Sequence, residues 1–234
     1  MRAKEFLSPA ENLLEAEKGT ERSKEIYNAF EKAGYKLLGY GVDATVWAKD
    51  DSPDVIKIIM PEDGEGAGPQ AKTFYKFYQF CQDHPDLENL PKFVDLGKGK
   101  HIETIEIDGV EYMAIGMEKL KPIEGGSFEE ALVWNLSDYA TKRMSWDEVW
   151  EKLNDPKSWM AYSGILDPEE IVKDLWYLDE KEKLQYEILF KLMTLLYHTG
   201  NINKTGWDLH TENAMMRGDT IVITDPWFNF EASH

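Results

Sequence analysis

The stretch TGWDLHTENAMMRGDTIVITDPW, Thr205 to Trp227, decides the fold. It sets Asp208, His210, Asn213 and Asp225 within eighteen residues, among two short apolar runs and a Gly218-Asp219 turn. Asp208 and Asn213 are five apart, so in a compact loop both side chains reach one volume. A carboxylate there can orient an attacking hydroxyl, and an amide oxygen can hold a hard cation. Asp, Thr and Asn also cap ordinary turns, which is the competing explanation. Asp225 follows the apolar run IVIT and precedes Pro226. An acid projecting from a strand end suits a Mg²⁺ ligand, and it also suits a plain strand-ending Asp-Pro.

Two further features lie upstream. In LGYGVDATVWA, Leu38 to Ala48, Gly39 and Gly41 are spaced G-x-G between two strand-like runs, with Ala44 where a third glycine would complete G-x-G-x-x-G. Glycines let backbone N–H groups approach phosphate oxygens closely, although a tight hairpin has the same wording. Lys57 sits in VIKII, on the strand face opposite its immediate neighbours. If that face is buried, Lys57 requires an anion; otherwise it is a lysine on a solvated face.

The 234 residues suffice for a sizeable core in one or two lobes, and 42% hydrophobic residues with eight Trp mark a globular chain. A net charge of −18 opposes direct binding to nucleic acid or anionic lipid and steers toward basic partners. Cys81 is the single cysteine, so there is neither a disulfide framework nor a thiolate metal site. Neither a signal core nor a membrane span is evident, so the expectation is a cytoplasmic protein without membrane attachment.

The coarse pattern begins with helices. Ser8, Pro9 and Glu11 form a helix start, and a second helix covers Glu21 to Ala33, stopped by Gly34. YKLLGYGVDATVWAKDDSPDVIKIIM reads as two or three strands, PEDGEGAGPQ as a loop, and AKTFYKFYQFCQDH as a helix with a stripe at Phe74, Phe77, Tyr78 and Cys81. HIETIEIDGVEYMAIGME reads as a hairpin about Asp108-Gly109. Capping boxes are expected at Ser127/Glu130 and Ser145/Glu148, with helix starts at Asp167 and Asp179. The longest helix follows Asp179 and ends near Gly200. Leu184, Ile188, Leu192 and Leu195 share one apolar face, widened by Leu189 and Leu196. Strand-rich and helix-rich regions are segregated, which indicates α+β rather than alternating βαβ units.

In this order the features resemble the eukaryotic-type protein kinases and their small-molecule relatives, over roughly Tyr35 to Phe228. The "D-L-H-x-x-N" wording resembles aminoglycoside and choline kinases. The LGYG…VIKI start and the DLHTENAMM…ITDP finish resemble the early serine/threonine protein kinases of short-tailed lytic phages. The resemblance implies a bilobal protein-kinase-like fold with a reduced, truncated helical C-lobe. It divides the chain into a helical extension at 1–34, a β-rich N-lobe at 35–118 and a mostly helical C-lobe at 119–234. It also implies roles. Gly39, Tyr40 and Gly41 cover the phosphates, Lys57 contacts the α- and β-phosphates, and Met117, Glu118 and Leu120 hold the adenine. Asp208 is the catalytic aspartate, while Asn213 and Asp225 hold Mg²⁺.

The departures are specific. Gly206 and Trp207 replace the usual histidine and arginine of the catalytic loop, and Asp225-Pro226-Trp227 replaces Asp-Phe-Gly. Nine residues follow Asp225, so an ordinary activation segment is not expected. The helix after Lys57 contains no glutamate to pair with that lysine; Glu62, Glu65 or Gln70 would have to substitute. His210 is expected to pack within the loop. Zinc is not expected, because His198 and His210 lack a third ligand nearby.

The leading functional expectation is an ATP- and Mg²⁺-dependent serine/threonine protein kinase of phage type, modifying host proteins such as transcription machinery in the host cytoplasm. A second is a catalytically weak, kinase-like acidic protein that binds and inhibits a host protein. A third is a small-molecule kinase.

Overall fold

The structure is a computed structural model, and it describes residues 21–40, 44–59, 69–97, 99–159 and 168–229. The expected helix start at Ser8, together with Gly41, Glu62, Glu65 and the Asp167 cap, lies outside the described residues. The chain divides into two compact units. One is Met1–Lys72 with Lys92–Lys119, and the other is Thr73–Pro91 with Leu120–His234. This division is discontinuous, whereas the sequence reading cuts once at 34 and once at 118.

The first unit is a five-stranded antiparallel sheet with one helix, α1 (Glu21–Lys32). Gly34 ends α1 at φ +80°, and Tyr35 N–H returns to Phe30 O at 2.9 Å. The strands are β1 (Lys36–Tyr40), β2 (Ala44–Ala48), β3 (Asp54–Ile59), β4 (Ile102–Ile107) and β5 (Val110–Glu118), in spatial order β1-β2-β3-β5-β4. The β4–β5 turn is the Asp108-Gly109 pair, with both residues at positive φ (50° and 81°), as a two-residue type I′ hairpin requires. One sheet face packs on α1: Ile26, Phe30, Trp47, Ile58, Tyr112 and Ala114 form one buried cluster, with Phe30 and Trp47 rings 5.0 Å apart. Ile26 and Phe30 of α1 are therefore part of this unit's core. Strand alternation puts Lys57 on the other face, with Val55 and Ile59.

The second unit contains α2 (Pro69–Asp83) from Thr73 onward, α3 (Phe128–Thr141), α4 (Trp146–Leu153), α5 (Pro168–Trp176) and α6 (Glu180–Ile202). It also holds two small ribbons. β6 (Lys121–Pro122), β8 (Ala214–Arg217) and β9 (Thr220–Ile223) make one; β7 (Thr205–Trp207) and β10 (Trp227–Asn229) make the other. The α2 stripe is buried at Phe74, Phe77 and Cys81, joined by Phe80. Phe77 and Phe80 meet the Trp227 ring edge-on at 5.8 and 6.1 Å. Burial pushes the Cys81 thiol pKa upward, so it stays a neutral core group. Ser145/Glu148 and Asp179/Glu182 are full capping boxes. Ser127 accepts from Glu130 N, but the Glu130 carboxylate turns to Gly126 N, so this box is only half formed.

One expectation is corrected. Leu184, Ile188 and Leu195 of α6 are exposed, at 53%, 40% and 43%. The buried face is Leu189, Phe190, Leu192, Met193, Leu196 and Gly200. Near the C-terminal end of this face Gly200 admits the Trp227 indole, whose Nε1–H donates to Leu196 O at 3.0 Å. A Cβ at Gly200 would lie 2.7 Å from that nitrogen.

The fold is α+β, and its elements follow in the order read from the sequence: glycine-bearing hairpin, lysine strand, helix, hairpin, long helix, polar loop, short hairpin. No helix among the described residues is long and apolar enough to cross a membrane.

Candidate active site

Two ribbon ends gather the polar residues of the 205–227 stretch. β7 and β10 pair antiparallel, Trp207 opposite Trp227 and Gly206 opposite Phe228. Asp208 follows the first strand and Asp225 precedes the second. Asp208 N–H donates to Pro226 O at 2.9 Å and locks that ribbon end. The second ribbon pairs Ala214 with Ile223. Asn213 precedes β8, and Thr224 N–H donates to Asn213 O at 2.9 Å. The register of two short ribbons therefore brings Asp208, Asn213 and Asp225 to one place. A glycine is required at 206, because a Cβ there would stand 2.0 Å from the Phe228 ring.

The Asn213 side chain is anchored by its nitrogen. Nδ2 donates to Asp208 O at 2.6 Å and to Asp208 Oδ2 at 3.2 Å, and it lies 3.1 Å from His210 Nε2. With both amide hydrogens directed at Asp208, Oδ1 is the acceptor left for another ligand. Asp208 is held above the ordinary carboxylate pKa, first by burial and next by the nearby Asp225 and Glu212 charges, against opposing contributions from His210 and the Asn213 hydrogen bond. Asp225 is half-buried, with Oδ1 shut off from solvent. An amide oxygen and a carboxylate at one place are hard oxygen donors, the set that a magnesium ion takes.

His210 has an architectural position. It caps the 3-10 turn Thr211–Asn213, its Nδ1 accepting from Glu212 N–H at 3.3 Å. Its ring stacks on Trp134 of α3, with centroids 6.4 Å apart and planes 24° apart.

Ser137 and Trp134 do not figure in the sequence reading. Ser137 is buried in α3 and accepts from Trp207 Nε1–H at 2.9 Å, while its own hydroxyl donates to Leu209 O at 3.2 Å. The Tyr197 ring meets Trp207 edge-on at 5.6 Å. Trp207 thus ties the loop to α3 through a serine. A serine inside the apolar run ALVWNLSDYA was the available signal.

The other candidate residues lie in the sheet unit, except Leu120, which opens the second segment of the helical one. Lys57 is half-buried, between Val46 and Ile115 on the neighbouring strands. Gly39 pairs with Val46 after an irregularity in β1, and Tyr40 is 48% exposed. Met117 is buried and bridges Phe93. The N–H groups of Glu118 and Lys119 already donate to Lys92 O and Pro53 O, at 2.9 and 2.8 Å. A base held along this edge would have to use other backbone groups.

No family model matches the chain, and no curated protein sequence matches it. Solved structures do. An amicoumacin kinase in complex with AMP-PNP and Ca²⁺ is similar over 90% of this chain and 65% of its own, at 17% identity and TM-score 0.40. A microcompartment-associated aminopropanol kinase is similar over 86% and 68%, at 12% identity and TM-score 0.41. A spectinomycin phosphotransferase in complex with ADP is similar over 85% and 68%, at 10% identity and TM-score 0.39. The chain spans about two-thirds of the length of these proteins. At such TM-scores the likeness bears on no individual residue here.

Proposed function

We propose that this chain is an ATP- and Mg²⁺-dependent phosphotransferase, and specifically a serine/threonine protein kinase of the phage type. One observation carries the reading: Asp208, Asn213 and Asp225 converge at the ends of two ribbons, with the Asn213 amide nitrogen fixed on Asp208. Phosphoryl transfer asks little covalent chemistry of a protein, and positioning with charge neutralisation dominates.

Asn213 Oδ1 and the Asp225 carboxylate would hold the magnesium ion. Bound there, the cation supplies positive charge against the nucleotide phosphates. Asp208 orients the acceptor hydroxyl and takes its proton as the new P–O bond forms and the ADP oxygen leaves. Asn213 keeps the Asp208 carboxylate in place. Lys57, set in an apolar sheet face, is assigned the α- and β-phosphates, with Gly39 and Tyr40 as the covering strand and Met117, Glu118 and Leu120 as the adenine edge. A host protein as acceptor agrees with the net charge of −18, which attracts basic surfaces. The Asp208-Leu209-His210 wording, with Asn213 in the sixth place, also supports a small-molecule acceptor as a second reading.

The test is transfer from labelled ATP with Mg²⁺, to bacterial lysate proteins and in parallel to amino-alcohol acceptors. Asp208→Asn should lower transfer by roughly 10²-fold or more, the scale of general-base contributions, with ATP affinity little changed. Asp225→Asn should weaken Mg²⁺–ATP binding as well, because a cation ligand loses its charge. A host-protein effect that survives Asp208→Asn with transfer abolished overturns the enzyme reading in favour of an inhibitory binder.

A further inference from the structure

Outside the candidate active site, one cleft of the helical unit carries chemistry of its own. Trp146, Trp150, Glu180, Lys183, Leu184 and Glu187 line a cavity of about 390 Å³. The two indoles of α4 lie 5.7 Å apart and tilted by 39°, and the Phe190 ring backs Trp146 at 5.9 Å. The first two turns of α6 form the facing wall, with carboxylates at Glu180 and Glu187 and an exposed Leu184 between them.

A cation already occupies this place. The Lys183 ammonium stands 5.5 Å from the centre of the Trp150 ring and 2.9 Å from Glu180 Oε1. It is held by a π face and a carboxylate, the two elements by which proteins recognise alkyl cations. Its hold is slight, because the Lys183–Glu180 pair is an i,i+3 pair with Glu180 92% exposed. The fold does not require it: the Asp179/Glu182 capping box starts α6 without Lys183. Glu187 is half-buried, and its ion pair is with the exposed end of Lys191. A guanidinium can engage both elements at once. Its plane stacks on indole while its fork reaches carboxylate oxygens.

We propose that this cleft binds an arginine side chain presented by a basic peptide segment of a partner protein, which displaces Lys183 from its seat. A peptide is the occupant because Leu184, which lines the cleft, and Ile188, one turn further along α6, are both exposed and would take apolar neighbours of the arginine. The net charge of −18 brings basic segments to the surface.

The experiment titrates the full chain with an acetylated, amidated peptide of alternating leucine and arginine, followed by calorimetry and tryptophan fluorescence at low and moderate salt. The expected result is saturable binding that Trp150→Ala and Glu187→Gln each weaken roughly threefold or more, the scale of losing one exposed cation–π contact or charge pair. Lys183→Ala should tighten binding beyond Lys100→Ala, which makes the same charge change in the sheet unit. The same peptide with citrulline for arginine should not bind. Equal affinity for wild type, Trp150→Ala and Glu187→Gln overturns the proposal. So does a Lys183→Ala variant no tighter than Lys100→Ala, and so does spermine competing at the cleft as tightly as the peptide. None of these readings depends on phosphate transfer, so the cleft and the kinase reading stand or fall separately.

Discussion

Strand β3 of the sheet unit and helix α6 of the helical unit both carry strong apolar patterns, yet burial follows the pattern in one and departs from it in the other. In β3 the alternation is literal: Ile56 and Ile58 face α1, and Lys57 turns away between Val46 and Ile115. In α6 the expected face splits: Leu189, Leu192 and Leu196 face in with Phe190, Met193 and Gly200, while Leu184, Ile188 and Leu195 face out. A strand has two faces, and its hydrogen bonds to both neighbours settle which is which. A helix can rotate about its axis at little local loss, so its seat is decided by what packs on it. Here α3 packs along α6, and Trp227 seats against its end at Gly200.

Core truncations test this contrast most strongly. Ile58→Ala in the sheet unit and Leu192→Ala in α6 should each destabilise by about 2–5 kcal/mol in urea unfolding, as buried large-to-small changes do. A small effect at Leu192 would mean that α6 is seated otherwise.

Gly116→Ala probes the sheet unit where backbone meets backbone. A Cβ there would stand 2.4 Å from Val94 O, beside the Val94 N–H to Gly116 O bond of 3.0 Å. Overpacking of this kind should lower stability by about 1–3 kcal/mol, with exchange of the Val94 amide accelerated. Unchanged stability would show that the 92–94 segment does not lie against β5.

Asp179→Ala removes the side chain that accepts from Lys181 and Glu182 N–H groups. It should cost about 1 kcal/mol by chemical denaturation. The smallest effect is expected at Leu195→Ala, within about 0.5 kcal/mol, because the residue is exposed. A loss of Leu192 size at Leu195 would restore the face that the sequence pattern indicates.

Local chemistry was legible in the chain itself. Asp108-Gly109 demanded a type I′ turn, Gly34 a helix stop, and Ser145/Glu148 and Asp179/Glu182 capping boxes, because each depends on residues within a few positions. The candidate loop was legible for the same reason: Asp208 and Asn213 are five apart, and their hydrogen bonds close within that span.

What the chain alone left undecided depends on distant partners. Residues 1–34 read as a helical extension, yet Ile26 and Phe30 within them join the sheet's core. Trp207 read as a missing arginine, yet its indole N–H reaches Ser137, seventy residues earlier. The 73–91 segment follows the lysine strand in sequence but groups with the residues after 120. Turns and caps are settled by short-range hydrogen bonds, which the sequence spells out. Which face of a helix is buried, and which helix steadies a loop, is settled by volume and shape among residues far apart in the chain, and only the folded structure brings those together.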